Sequence, residues 1–260
     1  MIKLGGSLLT DKDNESTANH LQVRRSLKQI RALVKAGSGR LILGHGVGSF
    51  AHIPAAKYQT ARGIINKESR LGAGITKERV LAIHQLVLTA GLKLGLPLFS
   101  LSPGSFLSRE EGSAKTYLTP LLNCLKFKLL PLLYGDVITD NLQGFGIYST
   151  EKSFEIVAQA LSRLGFEKIK LIHLGITKGV YDKAGKTILR LTRDNYAQYF
   201  EAVGESQSID VTGGMKLKVE TALRMAEFGV ETYIVDGQTV DLVALLEGRT
   251  KRNEYTLITR

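Results

Sequence analysis

Short apolar runs alternate along the chain with longer stretches in which apolar residues return every three or four positions. The runs Ile2–Leu4, Arg40–Leu43, Pro97–Leu101, Leu129–Tyr134, Ile169–Leu174 and Thr232–Val235 have the length and composition of strands. Helices are predicted near 21–36, 76–94, 151–164 and 215–228. In the second of these, Val80, Ile83, Val87 and Ala90 fall at helical spacing, with Leu86 and Leu94 beside them. Strand–helix–strand alternation predicts an α/β fold, a three-layer αβα sandwich on a mostly parallel open sheet. Segment 178–195, carrying Asp182-Lys183-Ala184-Gly185-Lys186, reads as a hairpin turn between short strands. The 260 residues suit a single domain spanning 1–260. A division into two closely joined lobes falls near 165–175, although no Pro/Gly/Ser linker marks it.

Composition narrows the setting. Hydrophobic residues make up 43% of the chain, enough for a substantial core. No apolar run reaches the length of about 18 residues that a membrane helix needs, so stable membrane association is not expected. Cys124 is the only cysteine, which excludes an intramolecular disulfide. The start Met1-Ile2-Lys3-Leu4-Gly5-Gly6 lacks the charged-then-apolar pattern of an export signal, and a reducing cytoplasm is the expected compartment. Lys and Arg number 35 against 24 Asp and Glu, a formal charge of +11. The basic residues are spread rather than blocked, and Trp is absent. Small anionic metabolites are therefore expected as partners ahead of nucleic acid.

Glycine-rich turns carry the candidate chemistry. Lys3-Leu4-Gly5-Gly6-Ser7 closes the first predicted strand. Paired glycines let backbone amides approach a phosphate, and Lys3 and Lys12 are cations within reach of such a group. Taken alone the motif is equally an ordinary turn, and no Gly-x-x-x-x-Gly-Lys-Ser/Thr loop occurs in the chain. Gly44-His45-Gly46-Val47-Gly48-Ser49-Phe50-Ala51-His52 follows a predicted strand and opens a helix, which favours an anion at the helix start. His52, about one turn in, is placed to donate to a phosphate. Asp136 and Asp140, in Tyr134-Gly135-Asp136-Val137-Ile138-Thr139-Asp140, are candidates to hold Mg²⁺, to orient lysines or simply to shape a turn. Ser149 reads as a helix N-cap. Asp210-Val211-Thr212-Gly213-Gly214 opens a further helix with Lys216 and Lys218 in its first turn, where lysines oppose the helix dipole unless an anion lies between them. Several such turns, two of them with lysines nearby, fit phosphoryl transfer, which relies on positioning and charge neutralisation.

In that order these residues resemble the amino acid kinase superfamily over nearly the whole chain, and within it the isopentenyl phosphate kinases. The resemblance rests on Lys3-Leu4-Gly5-Gly6-Ser7 with Thr10-Asp11-Lys12, on Ser49-Phe50-Ala51-His52 followed by Lys57-Tyr58, on Tyr134-Gly135-Asp136-Val137, and on Asp210 to Met215. The Ser-Phe-x-His piece is the discriminating one.

The resemblance implies an acceptor-binding lobe over about 1–165 and a nucleotide-binding lobe over about 166–260. It implies ATP with Mg²⁺, a small phosphate-bearing acceptor, a diphosphate product and a homodimer. Lys3, Lys12 and His52 would be catalytic. Gly5, Gly6, Ser7, Gly48, Gly175, Gly179, Gly214, Lys216 and Lys218 would hold the nucleotide. Gly46, Val47, His52, Thr150 and Glu151 would line the acceptor site, and no residue is assigned to metal. The sequence departs from the family pattern at Val47 and Thr150, where glycines are expected, at Glu151 in place of Asp, and at Ile176 and Lys178, where two aspartates are missing. Alternative readings keep the kinase with a phosphonate or carboxylate acceptor, or make the chain a nucleotide-binding homologue with weak activity.

Overall fold

A computed structural model of the chain describes residues 1–11, 14–37, 39–204 and 214–260. In chain order the elements are β1 (Ile2–Leu4), α1 (Gly6–Leu9), α2 (His20–Lys35), β2 (Leu43–His45), α3 (Ser49–Lys57), α4 (Ser69–Lys93), β3 (Leu98–Ser100), β4 (Leu107–Glu110), β5 (Ser113–Thr116) and α5 (Thr119–Lys126). They continue with β6 (Leu130–Tyr134), β7 (Asp136–Asp140), β8 (Gly144–Tyr148), α6 (Thr150–Arg163), β9 (Lys170–Gly175), β10 (Arg190–Leu191), α7 (Arg193–Gly204), α8 (Gly214–Ala226), β11 (Glu231–Asp236), α9 (Leu242–Leu246) and β12 (Tyr255–Ile258).

Eight strands form the main sheet in the order β10-β12-β11-β9-β1-β2-β6-β3. Every described pairing is parallel except β11 with β12. The first four strands in that order come from the C-terminal part of the chain and the last four from the N-terminal part, so the two parts meet where β9 pairs with β1. Such a sheet, covered on both faces, explains the near-continuous apolar runs of its strands.

Alternation along the strands separates the two faces. Ile2, Leu4, Leu43, Leu132, Ile172 and Val235 share a core with Val23, Leu27 and Ile30 of α2 and Ile83 and Val87 of α4. On the opposite face, Leu133 packs with Phe154, Val157 and Ala158 of α6, and Ile234 with Val219 and Ala222 of α8. Between those two patches the register places Gly44, Lys3 and His173 in one row. The polar middle of an otherwise apolar layer is where the candidate site begins.

The predicted mostly parallel α/β architecture holds, and several boundaries are corrected. The second strand is Leu43–His45, not Arg40–Leu43, because those residues pair with Ile2, Lys3 and Leu4. Gly44 and His45, read as loop, are thus strand residues; Gly44 lies under Thr150 and Phe154, where a Cβ would collide. Helix α4 starts at Ser69 rather than 76. Gly72 and Gly74 weaken the local helical signal, but Gly72 seats the helix on Tyr58.

A second, four-stranded sheet, β5-β4-β7-β8, escaped prediction. Its strands β4 and β5, Leu-Ser-Arg-Glu and Ser-Ala-Lys-Thr, are too polar to stand out, and Asp136–Asp140, which is not among the expected strands, is its strand β7. The hairpin expected in 178–195 is reduced to one antiparallel bridge, Tyr181 with Thr187, while β10 runs on to pair with β12. Among the described residues no helix is long and apolar enough to cross a membrane.

Candidate active site

The first two glycine turns interlock. Gly5 follows β1 and its amide donates to the Leu174 carbonyl at 2.8 Å; α1 begins at the next residue. Gly46 follows β2 and donates to the Leu4 carbonyl at 2.8 Å. Gly48, with φ 51°, is the residue before α3. A Cβ on Gly6 would come within 2.5 Å of the Gly48 nitrogen, and one on Gly46 within 2.7 Å of the Gly6 nitrogen. Buried Thr10 joins the two: its hydroxyl donates to the Gly6 carbonyl at 3.0 Å and accepts from the Ser49 amide at 3.1 Å. The first turn of a helix leaves its amides without intrahelical acceptors; in α3 the Ser49 amide is given to Thr10 and the Phe50 amide to the Val47 carbonyl, so the two helix heads meet through Gly6, Val47 and Gly48.

Beneath this contact lies a buried charge cluster. Lys3 is 5% exposed and its Nζ is ion-paired with Glu151 Oε1. Ser149 caps α6 as expected, accepting from the Lys152 amide, and this puts Glu151 in the first helical turn, facing β1. Burial alone would raise the Glu151 pKa. The Lys3 charge, then that of Lys218, and the Lys3 hydrogen bond overcome that and lower it to about 2. Lys218 of α8 therefore lies within electrostatic reach of the same carboxylate. Lys216, one turn-face away, lies 4.0 Å from Glu220 at the surface.

His52 sits in α3, its amide donating to the Gly48 carbonyl at 3.3 Å. The Val47 side chain packs on Ala51, Val80 and Tyr134. Thr150 is buried, and its hydroxyl donates to the His45 carbonyl at 2.7 Å. Both side chains are thus packed against the structure, and within the second turn Gly46 and Val47 are half-buried while Gly48 is buried. Behind that turn His45 Nδ1 donates to the Gly46 carbonyl at 3.0 Å. A carbonyl only accepts, so the neutral ring accepts at Nε2 from His84 Nδ1, also at 3.0 Å. His84 Nε2 then accepts from Ser100 at 2.7 Å. Burial lowers the pKa to about 4 for His45 and, with the His45 charge adding to it, to about 3 for His84.

The remaining candidates divide. Gly175 ends β9 beside the first turn and accepts from the Gly237 amide. Gly179 is fixed by packing instead: a Cβ there would meet Thr256 and Thr187. Gly214 heads α8. Lys12 and Asp210 to Gly213 lie outside the described residues. Asp136 receives Lys77 at 2.6 Å together with Ser102 and the Val137 amide, and Asp140 receives Arg109 at 3.0 Å. Of the roles considered for these carboxylates, two are seen: both engage cations of the chain, and Asp140 also shapes the turn after it, its Oδ1 accepting from the amides of Leu142 at 2.9 Å and Gln143 at 3.3 Å. Among the described residues no cluster of three or more His, Cys, Asp or Glu could hold a metal ion.

Sequence reasoning passed over Thr10 as a tie, the His45–His84 pair and His173. The last had a local signal, a histidine inside an apolar strand, but its neighbours depend on strand order.

Comparisons with known proteins place the chain by sequence and fold. The model of the amino acid kinase family matches residues 1–236. The isopentenyl phosphate kinase of Methanothermobacter thermautotrophicus is 29% identical over 252 residues, covering 91% of this chain and 90% of that protein. The enzyme of the same name from Haloferax volcanii is 31% identical over 226 residues, covering 86% and 87%. An X-ray structure of isopentenyl phosphate kinase superposes with a TM-score of 0.77 at 26% identity, covering 99% of this chain and 98% of the other. UMP kinase from Ureaplasma parvum shares the fold alone, with a TM-score of 0.63 at 15% identity. With that match running from β1 through β11 and across both glycine turns, the chain belongs to the amino acid kinase family.

Proposed function

We propose that the protein is a phosphotransferase that uses ATP to convert isopentenyl phosphate to isopentenyl diphosphate. The observation that carries this reading is the contact of Gly6 with Gly48, which brings the heads of α1 and α3 together above Lys3. Two phosphates bound at those heads would lie end to end. His52 would hold the acceptor's phosphate together with the backbone of Gly46 and Val47, while Thr150 and Glu151 support that side from the head of α6. Gly5, Gly6, Ser7, Gly48, Gly175, Gly214 and Lys218 would face the nucleotide, with Lys216 and Gly179 at its edge. Lys3 and Lys12 would neutralise the charge on the moving phosphoryl group.

An acceptor phosphate oxygen attacks the γ-phosphorus, the bond to the β-phosphate oxygen breaks, and ADP leaves. The nucleophile is already ionised near neutral pH, so no strong general base is needed. Mg²⁺ neutralises nucleotide charge when bound. Asp136, Asp140 and Glu151 are each engaged by a cation of the chain, which fits a metal carried on the phosphates rather than on a carboxylate cluster. The apolar cluster of Val47, Ala51, Val80 and Tyr134, where α3 meets α4, is packed core behind the second turn; the hydrocarbon tail would lie against part of α4 beyond it.

In this reading residues 1–165 form the acceptor lobe and 166–260 the nucleotide lobe of one domain, consistent with the division of the sheet at β9 and β1. Exposed Leu81 and Leu92 on α4, with Phe99 on edge strand β3, support a homodimer. A buried, unpaired Cys124 suits a cytoplasmic enzyme.

The test is incubation with ATP, Mg²⁺ and a panel of acceptors, following products by phosphorus NMR. Diphosphate formation from isopentenyl phosphate is expected. Turnover of an amino acid or a nucleotide, with none of any alkyl monophosphate, overturns the reading.

A further inference from the structure

The row Leu133, Gly44, Lys3, His173, Ile234 crosses the sheet on the face covered by α6 and α8. His173 is 3% exposed, and both of its ring nitrogens are buried without a hydrogen-bond partner among the described residues. Buried polar atoms are nearly always paired, and an orphan is destabilising. A leucine or phenylalanine at 173 would fill an apolar layer without that penalty. The charged groups facing the ring are Lys3 from β1, Glu151 from α6 and Lys218 from α8; its neighbour on β11 is Ile234. Burial, then Lys3 and Lys218, keep His173 uncharged, with its pKa lowered to about 3, and Glu151 alone pulls the other way.

The balance depends on where the two lysines point. Glu151 is buried and paired with Lys3. A buried carboxylate stripped of its cation is strongly unfavourable. We propose that His173 is the reserve counter-ion of Glu151: when the phosphates of a bound nucleotide draw the Lys3 and Lys218 ammonium groups away, His173 takes up a proton and pairs with the carboxylate left behind. The proton comes from buffer to one ring nitrogen and returns when the nucleotide leaves. His173 is thus a positioning residue that acts through Glu151. The inference rests on the kinase reading above, which puts nucleotide phosphate beside Lys3 and Lys218.

Proton linkage separates this role from packing. Binding of a non-hydrolysable ATP analogue with Mg²⁺ is measured by titration calorimetry in buffers of different ionisation enthalpy. Wild type, His173→Phe and His173→Gln are compared, the glutamine variant retaining polarity should the phenylalanine variant fail to fold. Wild type is expected to take up more protons per nucleotide than either variant. Its affinity should also fall several-fold more steeply between about pH 6 and about pH 8, because binding that consumes protons weakens as pH rises. Equal uptake and equal pH dependence in a folded variant overturn the inference and leave the kinase reading standing. Wild-type protein that binds no nucleotide overturns both.

Discussion

Gly6 and Gly48 are in reciprocal contact: a Cβ built on Gly6 runs into the Gly48 nitrogen, and one built on Gly48 runs into the Gly6 carbonyl and the Thr10 side chain. Gly48 also holds a φ of 51° that side-chain-bearing residues rarely adopt. Gly48→Ala is therefore expected to lose about 2 kcal/mol or more of stability, strain and overpacking acting together, and most of its activity. Gly95→Ala is the matched control. It has a φ of 74° but nothing within 4 Å of the added carbon, so it should show strain alone and normal turnover. Thermal denaturation and initial rates on both variants check this.

The Lys3–Glu151 pair predicts a second outcome. The Glu151 pKa is lowered from 4.5 to about 2, so the group is charged in the fold at pH values where the unfolded chain is already protonated. Its stabilisation, about 3 kcal/mol, is fully present above about pH 4.5 and is lost as pH falls toward 2. Glu151→Gln should be less stable than wild type by a similar amount at neutral pH, and the gap should narrow in acid. Urea midpoints measured across that range decide it; a gap that stays constant contradicts the assignment.

These elements show what local sequence can and cannot disclose. Strands buried on both faces and helices with sustained apolar spacing were legible because burial writes itself into local composition. The start of α4 was hidden by Gly72 and Gly74, and β4 and β5 by their polarity. Each glycine turn was visible as a turn. Their interlock was not, because it depends on β1 pairing with β2, some forty residues downstream in the numbering. The neighbourhood of His173 likewise exists only once β9 joins the other side of β1.

His52 yields a third prediction, on specificity. A hydrogen bond to a charged phosphate contributes about 1.5–3 kcal/mol. His52→Ala should accordingly raise the KM for the phosphate acceptor roughly tenfold or more while leaving the KM for ATP within about twofold. Steady-state kinetics with each substrate varied in turn make the comparison, and an unchanged acceptor KM would show that another group holds the phosphate.

The buried histidines predict acid sensitivity. His45 and His84 have pKa values lowered from 6.5 to about 4 and about 3, burial being the main cause. Below pH 6.5 the unfolded chain gains protons that the folded chain refuses. Stability is thus present above 6.5 and falls as pH drops toward 4, by up to about 1.4 kcal/mol per pH unit for each histidine. His84→Phe, which keeps a ring against Tyr134, removes one such site. Its urea midpoint should vary less between about pH 6.5 and about pH 4.5 than that of wild type.

Thr10 has a wider consequence. With its hydroxyl tied to Gly6 on one side and Ser49 on the other, neither glycine turn can shift without the other. Donor and acceptor would bind to a single rigid body, and the spacing between attacking and leaving oxygens becomes a property of the folded chain rather than something each ligand must organise. Much of the entropy of bringing two phosphates into line is then met during folding, once, instead of in every catalytic cycle.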